Sequence, residues 1–218
     1  MFKKNVLKLI VAISLYSQLG QAMEDNPVQK FDEGWKNPAN TSIRLRDVNI
    51  NDALASSGQP ITLTRDDLWD AERKKAFNPE IHISNVVKES RTWGYKKHPG
   101  DIETFYRYSM QKQWITDDYA EVLEFVYLLN REQQAYFFGL EEAEEDGKII
   151  RVENSQPLFH VLHGVEGTMD TPLNVWKFVH LTEEPSEEIR TAFSGLQNPA
   201  EVPYFVNVYL SEGLKASK

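Results

Sequence analysis

Ile102-Glu103-Thr104-Phe105-Tyr106-Arg107-Tyr108-Ser109-Met110-Gln111-Lys112-Gln113-Trp114 is the stretch on which the fold turns. Ile102, Thr104, Tyr106, Tyr108, Met110 and Trp114 share one parity, against Glu103, Arg107, Ser109, Gln111 and Gln113 on the other. A period of two marks a half-buried strand, because successive side chains leave opposite faces of the sheet. Downstream, Glu121 to Leu129 is apolar on both parities, with Val122, Val126 and Leu128 against Leu123, Phe125 and Tyr127. Both of its faces are therefore expected to be covered. Asn130-Arg131-Glu132 turns the chain into the aromatic run Gln134 to Leu140. Further strands are predicted at Lys148–Glu153, Leu158–Val165 and Asn174–Leu181, separated by Asp146-Gly147, Asn154, Gly167 and Thr171-Pro172. That makes about six antiparallel strands between 84 and 181.

The flanks differ in period. Upstream, Ile61-Thr62-Leu63 reads as a short strand, and Thr64 with Asp66 and Asp67 reads as a helix start. A threonine hydroxyl caps free N–H groups there, and acids complement the positive end of the helix dipole. Leu68, Trp69, Glu72, Lys75 and Ala76 continue at helical spacing until Asn78-Pro79 stops the helix. Residues 23–60 are polar and turn-rich, and read as a loosely structured lead-in. At the other end, Ile189, Ala192, Phe193 and Leu196 fall at helical spacing. Asn198-Pro199 with Glu201 resembles an N-cap, and a last helix over 199–215 carries Val202, Phe205, Val206, Tyr209 and Leu210 on its apolar face.

The first 22 residues carry a different message. Lys3, Lys4 and Lys8 precede an apolar run from Leu9 to Leu19, and Gly20-Gln21-Ala22 supplies small residues for cleavage before Met23. The run is too short to span a bilayer core of about 30 Å. An exported protein, periplasmic or secreted, is the expectation, with no stable membrane span once the segment is removed. Three lysines leave with it, and the formal charge moves from −9 to −12.

An α+β domain over 61–218 follows from this order of elements, with a curved antiparallel sheet of about six to seven strands gripping a C-terminal helix. The order resembles the helix-grip fold of the START-like (SRPBCC) superfamily. Thr62-Leu63-Thr64-Arg65-Asp66-Asp67-Leu68-Trp69 resembles the family's opening strand running into a helix, and Val202-Pro203-Tyr204-Phe205-Val206-Asn207 resembles the start of its closing helix. The resemblance implies a domain that encloses a hydrophobic ligand such as a lipid, sterol or polyketide, with some members acting as cyclases. It implies no catalytic residue, because the family has no universal one.

Composition and motifs exclude more than they select. With 24 basic against 33 acidic side chains, the 218-residue chain lacks the basic footprint of a nucleic-acid binder. It has no cysteine, so disulfides, thiolate metal sites and cysteine nucleophiles are ruled out. There is no phosphate loop, Gly-x-Ser-x-Gly elbow, dinucleotide fingerprint or His-Glu-x-x-His. His160 and His163 have the best metal-like spacing, but on a strand they point to opposite faces and would not chelate one ion. Neither a metal nor a cofactor is expected.

Three readings remain. In the first, a hydrophobic or amphipathic small molecule such as a lipid lies between sheet and closing helix. Tyr106, Tyr108, Trp114, Phe125, Tyr127, Trp176, Phe205 and Tyr209 would line that space, with His160 as a polar tip. In the second, the same cavity serves a cyclase- or hydrolase-like enzyme through His160 or His163 and a nearby carboxylate. In the third, the acidic surface and residues 23–60 engage another envelope protein.

Overall fold

The computed structural model describes residues 26–113, 116, 118–152, 159–182, 184–194 and 198–216. The expected export segment at 1–22 and Trp114 lie outside the described residues. Helix α1 (Pro27–Lys36) opens this portion, followed by strands β1 (Thr41–Arg44) and β2 (Val48–Asn49) and helices α2 (Ile50–Ser56), α3 (Arg65–Phe77) and α4 (Pro79–His82). Strands β3 (Val87–His98), β4 (Ile102–Lys112), β5 (Tyr119–Leu129), β6 (Gln134–Leu140), β7 (Glu142–Glu145), β8 (Lys148–Arg151), β9 (Phe159–Gly167) and β10 (Pro172–His180) come next. Helices α5 (Glu187–Phe193) and α6 (Tyr204–Ala216) end the chain.

The sheet runs β1-β10-β9-β6-β5-β4-β3, with β2 also against β10, and every pairing is antiparallel. β7 and β8 form a separate two-stranded ribbon. α3, α5 and α6 cover the concave face, where Phe105, Phe137, Phe178, Phe193 and Phe205 are completely buried. Each side chain so buried contributes about 1.5–3 kcal/mol of transfer free energy. The outer face is covered as well. Phe31 of α1 packs edge-on to Tyr136 with ring centroids 5.6 Å apart, and Trp93 Nε1 donates to the Glu144 carbonyl in the ribbon.

Local chemistry explains the main helices. In α3, Thr64 Oγ1 accepts from the Asp67 N–H while Asp67 Oδ2 accepts from the Thr64 N–H, a reciprocal capping box. Pro27 opens α1 behind the Asn26 cap, where a missing N–H costs nothing. α6 begins at Tyr204, later than the expected 199, because Asn198 closes a turn through the Ala200 N–H and the Glu201 carboxylate instead.

Two sequence expectations are corrected. Residues 61–63 form no strand; Asn51 holds them by bonding both the N–H and the carbonyl of Leu63. The opening strand is β1, within the segment expected to be a loose lead-in, and Thr41 pairs with His180 and Arg44 with Lys177. β1 escaped notice because it is a short edge strand in which Ile43 alone is strongly apolar.

The parity of β4 is also reversed. Glu103, Phe105 and Arg107 face the helices, and Tyr106 and Tyr108 face outward. Alternation reveals that a strand has two faces but not which lies inward, and the charged face passed for solvent because its partners are far away in sequence. Arg73 reaches Glu103 at 2.9 Å and Arg107 reaches Glu124 at 2.6 Å.

Candidate functional site: a cavity under the closing helix

The concave sheet and α6 do not close completely on each other. Between them lies a cavity of about 380 Å³. Phe137, Phe159, Val161 and Phe178 line its sheet side, and Val202, Pro203 and Phe205 line its helix side. Asn85, Val86 and Tyr204 form part of the rim, where Ser84 Oγ and the Tyr204 hydroxyl lie 2.9 Å apart, joining the α4–β3 turn to the first turn of α6.

One end of this apolar space is ionisable. Glu72 and Lys75 sit one turn apart on α3, facing the sheet among Leu68, Trp69 and Ala76, and both are buried. Lys75 Nζ lies 2.5 Å from Glu72 Oε2, 4.1 Å above the Phe205 ring and 4.7 Å above that of Trp176. Asn174 Nδ2 donates to Glu72 Oε1 at 2.7 Å, and Trp176 Nε1 does so at 3.4 Å. His163 stacks on Trp176 at 4.6 Å, with Nδ1 3.6 Å from Glu72 Oε2. A second pair, Arg107 with Glu124, lines the cavity beside them, and Arg107 Nη1 also donates to the Ala76 carbonyl at 3.0 Å.

Burial and charge set the protonation of this cluster. Burial pushes Glu72 up, but the Lys75 ammonium and the His163 ring outweigh it and hold the carboxyl well below the usual range. Burial pulls the Lys75 ammonium down, with Glu72 opposing. His163 is brought down to about 4 by burial and then by Lys75, so at neutral pH its ring is uncharged. Among the described residues, no group of three or more His, Asp or Glu side chains could hold a metal ion.

The sequence-derived lining residues divide between the two faces. Trp176 and Phe205 line the cavity. Tyr209 packs at the edge of the same core, with Lys74 Nζ 4.7 Å above its ring and its hydroxyl pushed up to about 12 by burial and Asp70. Tyr106, Phe125 and Tyr127 are brought together on the other side of the sheet, in a hollow of about 700 Å³ beside Pro27, Lys96 and His98. Tyr108 lies on that outer side too, its hydroxyl donating to Glu121 at 2.6 Å. His160 faces Phe138 and Gly34 of α1 rather than the cavity, so the two histidines do point to opposite faces. Glu72, Lys75, Arg107 and Glu124 were not foreseen as site residues. The available signal was a charged i, i+3 pair inside the apolar stripe of α3.

Element order, antiparallel sheet and a C-terminal helix laid across the concave face make the helix-grip arrangement expected from the sequence. No protein-family model and no curated relative matches the chain. Among solved structures it is similar to the di-domain ARO/CYC BexL of the BE-7585A biosynthetic pathway, at 10% identity and a TM-score of 0.43, over 84% of this chain and 48% of that one. It thus spans about half of that di-domain protein. The Zhui aromatase/cyclase of Streptomyces sp. R1128 gives 7% identity and a TM-score of 0.39 over 82% and 88% of the two chains. A START superfamily protein of Mycobacterium smegmatis gives 11% identity and a TM-score of 0.33 over 82% and 95%. No described helix of the chain is long and apolar enough to cross a membrane.

Proposed function

We propose that this chain is an exported binding protein that encloses a hydrophobic or amphipathic small molecule, such as a lipid, between its sheet and α6. The cavity carries the reading: phenylalanine and valine walls, a rim at the start of α6, and a few buried polar groups such as Lys75, Arg107 and His163. That is the composition of a site that buries an apolar body and orients it through a few polar atoms. Export rests on the cationic start and short apolar run of residues 1–22.

Protein purified from its native host should release a small molecule in native mass spectrometry, and the emptied protein should take up an apolar fluorescent probe. Val161→Trp places an indole in the cavity and is expected to weaken probe binding about tenfold or more, equivalent to about 1.4 kcal/mol, with the fold retained. An empty native protein that also ignores every apolar probe would sink the proposal.

A catalytic use of the same cavity is favoured by one contact, His163 against Glu72 beside the lining. A neutral imidazole close to a carboxylate is a group suited to proton transfer. If the cavity performs such chemistry, His163→Ala will cut turnover about 100-fold or more while leaving ligand binding intact. Equal loss of both would assign His163 a packing role.

A further inference from the structure

The ion pairs of the cavity specify the polarity of what it takes. Every nitrogen of the Arg107 guanidinium has an acceptor, with Nε and Nη2 on Glu124 and Nη1 on the Ala76 carbonyl. Lys75 differs. Its ammonium pairs with Glu72 Oε2 at 2.5 Å and lies over the Phe205 and Trp176 rings, and among the described residues no second oxygen takes its remaining N–H groups. An ammonium has three donors, so with one on Glu72 the other two have only ring faces beside them, at a buried position that lines the cavity. The charge balance there leaves no surplus of positive charge. Glu72 offsets Lys75, Glu124 offsets Arg107, and Glu121 and Glu201 add two further carboxylates to the lining. A carboxylate ligand beside Lys75 would add a second anion to a cation that Glu72 already balances, leaving one buried negative charge uncompensated.

We propose that the deep end of the cavity binds the carbonyl oxygen of an uncharged ketone, ester or amide, with the Lys75 ammonium as donor, and discriminates against ligands with an anionic head. This rests on the reading that the cavity holds a small molecule, and it sharpens that reading from an amphipathic ligand to an uncharged one. A neutral acceptor fills the open donors without disturbing either ion pair. His163 stays uncharged beside it and contributes no cation that would attract an anion.

The test compares 2-dodecanone, methyl laurate and laurate on the intact mature protein by titration calorimetry near neutral pH. The ketone and ester are expected to bind about tenfold tighter than laurate or more. The carbonyl stretch of isotope-labelled dodecanone should move to lower frequency on binding, relative to the same ketone in hydrocarbon. In the paired variant Glu72→Leu/Lys75→Met, both the shift and the preference over laurate should disappear. Laurate binding as tightly as the ketone, or an unshifted carbonyl band in the unaltered protein, overturns the proposal while the binding reading stands. Failure of all three ligands to bind overturns both.

Discussion

Glu72→Ala is expected to cost about 3–5 kcal/mol of folding stability, because it leaves the Lys75 ammonium buried without a counterion. The loss extends beyond one contact. Asn174 Nδ2 and Trp176 Nε1 both donate to Glu72 Oε1, and the completely buried Asn174 amide would lose that acceptor. Removing both charges together should behave differently. Leucine and methionine approximate the volumes of Glu72 and Lys75, and replacing a buried ion pair by packed apolar groups is often neutral or stabilising. Urea unfolding of the wild type, Glu72→Ala and Glu72→Leu/Lys75→Met is the measurement. The paired variant should regain most of what the single one loses. If it is no more stable than Glu72→Ala, the cost lies in packing and not in the stranded ammonium.

Acid is expected to unfold the protein in two overlapping stages. His160 is pulled down to about 4 by its burial, with Lys30 adding to the effect, and His163 to about 4 by burial and Lys75. Burial lowers His82 and His180 as well. An unfolded histidine titrates near 6.5, so between about 6.5 and 4 the unfolded chain takes up protons that the folded one refuses. Stability therefore falls as pH drops through that window, by about 3 kcal/mol for His160 alone. Glu72 then adds its own loss, since a carboxyl held below its usual range stabilises the fold above its unfolded value and ceases to do so as pH falls further. His160→Leu, on the outer face against Phe138, should flatten the first stage by roughly that amount in denaturant midpoints measured from neutral pH to about 4. A wild type and variant that lose stability in parallel would assign the acid response elsewhere.

The sheet was largely legible because apolar patterning reports burial directly. β5 is apolar on both parities, and it does have α3-side neighbours on one face and the α1 layer on the other. The site was less legible, for a reason visible in β4. Glu103, Arg107 and, across from it, Glu124 look like solvent-facing residues, yet they meet partners on α3 or on the next strand and are buried as pairs. Polarity alone cannot tell a charge in water from a charge matched in the interior; that depends on contacts distant in sequence. The aromatic side of β4 was a real signal of covering, but the cover is α1 and the β7–β8 ribbon, not the closing helix. Trp176 and Phe205 reach the cavity because each lies on an element with its apolar side toward it.

The pairing of β1 with β10 also bears on when the molecule can assemble. Thr41 meets His180 across nearly the whole length of the domain, and Val48 meets Asn174 in the same way. The hairpins from β3 to β6 can zip locally, but this edge must wait until the far end of the sequence is available. Long-range closure of this kind slows folding, since the entropy of a large loop is lost before any contact compensates it. During that wait the outer surfaces of β9 and β10 lack α1, and Leu162 and Val179 are bare. The slowest step and the most aggregation-prone surface therefore coincide, and residues 26–60 act as the latch that ends both.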